Sequence, residues 1–193
     1  MCSRYGIGEH IGTWLAKYGW HQTLSANDIH PQDLAPVLVA RGRMLRALPM
    51  RWGMQNPKSG ALVINARKET ATQKPMFSES LRSRRCILPA TKFYEWDAAK
   101  QRVTFSPVTG GRLYLCGLYR MEEDVPHFVI LTKPAGEIMQ PVHDRMPVMV
   151  AEDDIDPWLT DAAQAMALLE SEVPLQRSPI VMCHLSAKGT DME

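Results

Sequence analysis

The sequence lacks the features of several classes of protein. Its 193 residues contain no run of about 18 apolar residues, so a membrane-spanning helix is not expected. The N-terminus has neither the basic nor the apolar region of a signal peptide, which favours a cytoplasmic location and no membrane partner. No internal repeat, low-complexity tract or linker is visible. These absences favour a single compact domain spanning residues 1–193, and we expect it to be monomeric.

Cysteine is scarce and its spacing is uninformative about metals. The four cysteines, Cys2, Cys86, Cys116 and Cys183, form no C-x-x-C pair, so neither a disulfide nor a zinc site is expected in a reducing compartment. The histidines show no metal-ligand spacing either. We therefore expect no metal and no cofactor. The apolar surroundings of the last three cysteines are typical of buried core residues.

The formal net charge is only +1, but charge is unevenly distributed along the chain. Residues 41–92 contain twelve basic and two acidic residues, whereas residues 121–172 contain twelve acidic and two basic residues. A basic segment of this kind suits a polyanionic partner such as nucleic acid. Alternatively, the two segments pair with each other inside one fold.

Short β-rich runs dominate the chain and are separated by glycine, proline and acidic turns. Residues 9–18 have apolar side chains at helical spacing. Near the C-terminus, "DPWLTDAAQAMALLESE" predicts one helix with Asp156 as N-cap and Pro157 at the first helical position. This pattern predicts an α+β fold with a curved, barrel-like, mainly antiparallel β core and a few flanking helices.

Cys2 directly follows the initiator methionine in "MCSRYGIG". If Met1 is removed, Cys2 carries a free α-amine and a thiol on adjacent carbons, which no internal cysteine does. The alternative is an incidental small residue at a loose terminus.

The segment "VINARKE" places Asn65, Arg67 and Glu69 on one face of a predicted strand. They form either a solvent-facing edge or the polar floor of a site, with Asn65 as a hydrogen-bond donor and Arg67 as a phosphate ligand.

Two further segments contain groups that transfer protons. In "KFYEWD", Glu95 lies between two aromatic residues, and burial there would raise its pKa. Simple alternation would instead place Tyr94 and Trp96 inward and Glu95 outward. In "PVHDRMP", His143 titrates near neutrality, although a structural or surface histidine is the commoner outcome.

The order and spacing of "MCSRY", "WG", "INARKET", "MF", "FYEW" and "VHDRMP" resemble the SOS-response-associated peptidase (SRAP) family over roughly residues 2 to 150. The resemblance implies a compact α+β domain with a basic channel. It also implies a covalent link to abasic sites in single-stranded DNA, formed by the N-terminal cysteine after Met1 is removed.

The resemblance assigns roles to individual residues. Cys2 would be the nucleophile, Asn65 would position the terminus and the opened sugar, Glu95 would transfer protons at the amine and imine, and His143 would act on the sugar hydroxyl. Amine and thiol together would close a thiazolidine ring on the sugar aldehyde, a lyase-like reaction.

The expected DNA contacts come from four cations. Arg4, Arg67 and Arg145 resemble the family's phosphate-binding positions, and Lys74 of the basic segment is expected to bind DNA with them. Ser3 stands where the family usually has glycine, and tryptophans usual after "WG" are missing from "MQNPKSG".

Two alternative functions differ in whether they require Cys2. An N-terminal-nucleophile amidohydrolase, or the autoproteolytic or thiol peptidase that the family's name implies, would also use Cys2. A non-catalytic module that binds single strands would leave Cys2 inert.

Overall fold

A computed structural model describes residues 2–24 and 28–178 of this chain. The strands are β1 (Tyr5–Gly6), β2 (Asp28–Ile29), β3 (Leu34–Arg41), β4 (Met44–Trp52), β5 (Met54–Gln55), β6 (Leu62–Val63), β7 (Asn65–Arg67), β8 (Arg85–Ala90), β9 (Lys92–Trp96), β10 (Arg102–Pro107), β11 (Leu113–Glu122), β12 (Val125–Pro134), β13 (Arg145–Pro147), β14 (Met149–Val150) and β15 (Leu175–Arg177). The helices are α1 (Glu9–Leu15), α2 (Lys68–Ala71), α3 (Pro75–Ser83), α4 (Ile155–Thr160) and α5 (Ala162–Leu168). Short 3-10 turns span Ala16–Tyr18 and Glu152–Asp154.

Five strands close into a barrel. The hydrogen-bonded order is β12, β4, β3, β8 and β11, and β11 pairs again with β12 to complete the ring. All of these pairings are antiparallel except that of β12 with β4. Closure means that every strand of the ring has a paired neighbour on both sides. The predicted α+β class with a barrel-like, mainly antiparallel core is confirmed.

A second sheet holds the N-terminal segment in place. Its strand order is β15, β10, β9, β1 and β2, so β1 lies between β9 and β2. Tyr5 pairs with Phe93 on one side and with Ile29 on the other, and all three are buried. The residues just before β1, including Cys2, are therefore attached to the core through β1.

Helices occur at both ends of the described chain. The predicted helix at residues 9–18 is confirmed as α1 followed by a 3-10 turn, with Ile11, Trp14 and Leu15 buried. The prediction of a single C-terminal helix with Asp156 as its N-cap is wrong, because the first helix begins at Ile155 and already contains Asp156 and Pro157. The chain forms α4 and α5 instead, because Asp161 has extended backbone angles and its carboxylate accepts the backbone N–H groups of Ala163 and Gln164.

Within residues 2–24 and 28–178, no helix is long and apolar enough to cross a membrane.

Candidate functional site

Cys2 is buried, with only 1 % of its surface exposed. Its thiol lies 3.8 Å from the carbonyl oxygen of Arg4, to which it donates a weak hydrogen bond. Burial and the nearby charge of Glu95 raise the pKa of the thiol to about 12. The resting thiol is therefore protonated. Cys183 lies outside the described residues, whereas Cys86 and Cys116 are buried free thiols, as expected.

Asn65 contacts the N-terminal segment directly. It is the first residue of β7, which pairs in parallel with β12 of the barrel and is thereby fixed in position. Its side-chain Nδ2 donates a 2.9 Å hydrogen bond to the carbonyl oxygen of Cys2. The other atom of the amide, Oδ1, is buried and has no hydrogen-bond partner among the described residues. A buried acceptor without a partner is costly, so this oxygen is placed to receive a donor from a bound group.

Glu95 points into the protein rather than out of it. On β9 the side chains of Phe93 and Glu95 face the interior, whereas Tyr94 faces the opposite side of the sheet. The interpretation with Glu95 outward is therefore wrong, because Phe93 and Glu95 are both on the core-facing side. Burial raises the pKa of Glu95, and His143 opposes this effect. A carboxyl group whose pKa is raised by burial is a candidate for proton transfer.

His143 lies close enough to interact electrostatically with Glu95. Its Nδ1 is 2.9 Å from the backbone nitrogen of Arg145 and also 2.9 Å from a carboxylate oxygen of Asp144. These contacts require opposite protonation of Nδ1, because a backbone N–H needs an acceptor and a carboxylate needs a donor. We assign the backbone hydrogen bond, since the Asp144 side chain is 82 % exposed and well solvated. This assignment places the proton of the neutral ring on Nε2.

The structure thus brings the four predicted catalytic residues into one cluster. Asn65 donates a hydrogen bond to Cys2, the charge of Glu95 contributes to the raised pKa of the Cys2 thiol, and Glu95 interacts electrostatically with His143. They come from four separate segments of the chain. No group of three or more potential metal-ligating side chains occurs among residues 2–24 and 28–178.

A cleft of about 390 Å³ opens beside Asn65. Three exposed cations, Lys58, Arg67 and Lys74, line it, and the side chains of Met76 and Phe77 form part of its apolar wall. Lys58 was not among the predicted contacts; a turn in which Asn56 accepts the backbone N–H of Lys58 presents it to the cleft. Proline and glycine on either side of "KS" are the signal of that turn. We call this cleft the basic groove.

The other two predicted DNA contacts already have carboxylate partners. Arg145 is 9 % exposed and forms a bidentate ion pair with Glu69 at 2.8 and 3.0 Å, and it also donates to the carbonyl oxygen of Thr132. Arg4 is paired with Asp28. The predicted strand containing Asn65, Arg67 and Glu69 ends early, since Glu69 belongs to α2 and is thereby able to reach Arg145.

Mutual pairing does not account for the two charged segments. In the part of the chain that the structure describes, two ion pairs join the segments, Lys68 with Glu170 and Arg145 with Glu69, and only the first uses a basic residue of the basic segment. Arg84 pairs with Glu79 within the basic segment, and Arg85 donates to backbone carbonyls. The groove cations are thus available to a partner.

The sequence profile of a family described as SOS response associated peptidase (SRAP) matches residues 1–188. The abasic site processing protein YoqW of Bacillus subtilis is 31% identical over 195 residues, which cover 88% of this chain and 87% of that protein. The abasic site processing protein YoaM of the same organism is 30% identical, covering 89% and 84%.

Solved structures share the fold. A protein from Bordetella bronchiseptica superposes with a TM-score of 0.79 at 23% identity, over 92% of this chain and 98% of that one. A protein from Bacteroides thetaiotaomicron gives a TM-score of 0.75 at 18% identity, over 91% and 90%. At sequence identities this low, the similarity shows only that the fold is shared.

Proposed function

We propose that this chain, which belongs to the SOS response associated peptidase (SRAP) family, processes abasic sites in single-stranded DNA through a covalent bond to Cys2. The names of the relatives, abasic site processing proteins, support this class of substrate. The observation that carries the proposal is the hydrogen bond from Asn65 to the carbonyl oxygen of Cys2. It holds an N-terminal aminothiol beside a buried carboxyl group and an imidazole.

The proposed reaction begins at the amine rather than at the thiol. After removal of Met1, the α-amine of Cys2 has an ordinary pKa of about 7.7–8.0 and is partly neutral at cellular pH. It attacks the aldehyde of the ring-opened sugar, and loss of one water gives an imine. The thiol then adds to the imine carbon, so that a C–S bond forms while the proton of sulfur moves to nitrogen. The product is a thiazolidine, and the net change is the loss of one water.

Each neighbour has a defined task in this sequence. Glu95, with its raised pKa, transfers protons at the amine and the imine. His143 acts on the sugar hydroxyl that is released when the ring opens. Asn65 fixes the carbonyl of Cys2 and offers Oδ1 to the amine or the sugar. The high thiol pKa suits a thiol that must wait for the imine before it reacts.

The basic groove supplies the phosphate contacts. Lys58, Arg67 and Lys74 line one cleft together with Asn65, so a strand lying in the groove has its backbone beside Cys2. Apolar side chains in the same cleft offer contact area for bases. The electrostatic part of this binding does not depend on sequence.

A thiol peptidase is the alternative that the family's description suggests. Such enzymes attack with a thiolate, which requires a lowered thiol pKa. Burial of Cys2 has the opposite effect and raises its pKa to about 12. The site therefore favours the aldehyde reaction over peptide hydrolysis.

Intact mass spectrometry with an oligonucleotide that contains one abasic site tests the proposal. We expect the protein without Met1 to gain the mass of the oligonucleotide less one water. Cys2→Ala, and a variant that retains Met1, should give no such species. A covalent product that persists in Cys2→Ala would contradict the proposal, and glutamine or peptide hydrolysis without any DNA adduct would favour the alternative.

A further inference from the structure

Three cations surround the ring of Tyr94 on the face of β9 that points away from Glu95. The guanidinium carbons of Arg4 and Arg102 lie 5.1 and 5.2 Å from the ring centroid, and Nζ of Lys92 lies 5.6 Å from it. All three distances are in the range of cation–π contacts. We call Arg4, Lys92, Tyr94 and Arg102 the Tyr94 cluster.

The sheet is shaped to accommodate this cluster. Gly6 pairs with Lys92 on one side and with Asp28 on the other, so the three residues form one row across β9, β1 and β2. A Cβ atom on Gly6 would lie 2.8 Å from both Cγ and Cε of Lys92. The stem of Lys92 therefore crosses β1 in the space that the missing side chain leaves, and this directs its ammonium group toward Tyr94.

The cluster has an excess of positive charge. A neighbouring carboxylate, Asp28, is engaged by Arg4 and accepts a 2.8 Å hydrogen bond from the hydroxyl of Tyr94. Within the described part of the chain, neither Lys92 nor Arg102 forms an ion pair with a carboxylate. Cations held around one ring repel one another, and a bound polyanion relieves that repulsion.

The cluster and the basic groove approach Cys2 through different neighbours. Arg4 follows Cys2 by two positions, so their Cα atoms are at most about 7 Å apart. The groove reaches Cys2 through Asn65, which lines the groove and bonds to the Cys2 carbonyl. Cys2 is thus connected to the Tyr94 cluster through the chain and to the basic groove through a hydrogen bond.

We propose that the Tyr94 cluster binds the phosphodiester backbone on one flank of the abasic site, while the basic groove binds the other flank. Lys92 and Arg102 are the phosphate ligands, since Arg4 is occupied by Asp28. Stacking on Tyr94 keeps their long side chains ordered before DNA arrives, which lowers the entropic cost of binding. The inference rests on the proposed function, because it takes Cys2 as the position of the abasic site.

The proposed role of the Tyr94 cluster is tested by measuring how salt affects the binding of oligonucleotides that extend to only one side of an abasic analogue. The probes are single strands with a terminal tetrahydrofuran abasic analogue, extended only on the 5′ or only on the 3′ side, and affinity is measured by fluorescence anisotropy. For one of the two probes, Lys92→Gln/Arg102→Gln should lower the slope of log affinity against log salt by about 1.4, or about 0.7 for each lost phosphate contact. The other probe should keep its slope.

Two matched variants serve as controls. Arg41→Gln/Arg43→Gln removes two exposed cations from the far end of the β3–β4 hairpin and should change neither slope. Lys92→Arg/Arg102→Lys keeps both charges and should retain the wild-type slopes. If the double glutamine variant loses thermal stability, Arg102→Gln alone, at an exposed position, should give half of the effect.

Unchanged slopes for both probes would overturn the inference, and so would an equal loss on both. The wild-type protein is also incubated with a strand that carries a true abasic site. Absence of a covalent product there contradicts the proposed function, whereas a covalent product together with unchanged slopes contradicts only the role of the Tyr94 cluster.

Discussion

Asn65 and Cys2 are 63 positions apart in the chain, yet Nδ2 of Asn65 donates a 2.9 Å hydrogen bond to the carbonyl oxygen of Cys2. The donor belongs to β7, whose parallel pairing with β12 attaches it to the barrel. The acceptor belongs to the segment that leads into β1 of the other sheet. This bond therefore connects the reactive terminus to the barrel and sets its position relative to the basic groove.

Asn65→Ala should slow formation of the DNA adduct by roughly tenfold to a hundredfold, because the terminus loses its fixed position. The lost hydrogen bond should cost about 1 kcal/mol of stability, or roughly 2–4 °C in the melting temperature. Single-turnover adduct formation and thermal unfolding measure the two effects. Gln164→Ala, which removes an exposed amide on α5, is the control and should leave the rate unchanged. An unaltered rate in Asn65→Ala would remove Asn65 from the mechanism.

Glu95→Gln and His143→Ala should each slow adduct formation or its reversal without unfolding the protein. The glutamine side chain has the same shape as Glu95 but cannot transfer the proton, and alanine removes the imidazole that acts on the sugar hydroxyl. Time courses of formation and of release from the purified adduct separate the two directions. Wild-type rates in both directions would contradict the assigned role of the residue concerned.

Glu95 should also make stability depend on pH. Burial raises its pKa in the folded protein above the ordinary carboxyl value of 4.5, so the folded state binds this proton more tightly than the unfolded state does. The associated stability is fully present below the unfolded pKa and is lost as the pH rises through the folded pKa. Glu95→Gln cannot ionise, so it should gain stability relative to the wild type across that window. Denaturant unfolding at a series of pH values measures the difference.

Glu79 provides a control of opposite sign. A hydrogen bond from Arg84 lowers the pKa of this exposed carboxyl group, so its small contribution is present above the unfolded pKa and is lost as the pH falls. Glu79→Gln should therefore show no gain with rising pH. A stability difference between Glu95→Gln and the wild type that stays constant with pH would mean that Glu95 does not titrate in this way.

Arg145→Met should destabilise the fold more than it affects the salt dependence of DNA binding. Its guanidinium is bound to Glu69 and to the backbone of Thr132, and Glu69 is partly exposed. We expect a loss of about 2 kcal/mol, or roughly 4–8 °C in the melting temperature. Thermal unfolding measures this loss, and anisotropy measures the salt slope. A stable variant with a reduced salt slope would instead make Arg145 a phosphate contact.

Arg67→Glu should weaken DNA binding and its salt dependence while leaving stability nearly unchanged. Arg67 is exposed and lines the basic groove, so its charge reversal should change stability by less than about 0.5 kcal/mol. DNA affinity should fall, and the salt slope should decrease by about 0.7 for the lost phosphate contact. An unchanged slope would exclude Arg67 from the DNA-binding surface.

The candidate site was predictable from sequence to the extent that its residues lie in short segments of distinctive composition. "MCSRY", "INARKET", "FYEW" and "VHDRMP" pointed to Cys2, Asn65, Glu95 and His143 before any geometry was known. A helix was predicted near the C-terminus, but its division into α4 and α5 was not, because the break at Asp161 depends on its backbone angles and on the hydrogen bonds that its carboxylate accepts there. The helical spacing of the apolar residues continues across that break.

The sequence by itself determined the class of fold, since β propensity and turn residues act over a few neighbouring positions. It also determined which segments carry reactive groups. Only the tertiary structure decided which way they point. Strand alternation allowed Glu95 to face inward or outward, and packing of the same face of β9 against the core selected inward. Likewise, the sequence predicted the same phosphate-binding role for Arg67 and Arg145. In the structure, Arg145 is paired with Glu69 and stabilises the fold, whereas Arg67 lines the basic groove. Burial and ion pairing depend on residues distant in the chain, so local sequence could not decide them.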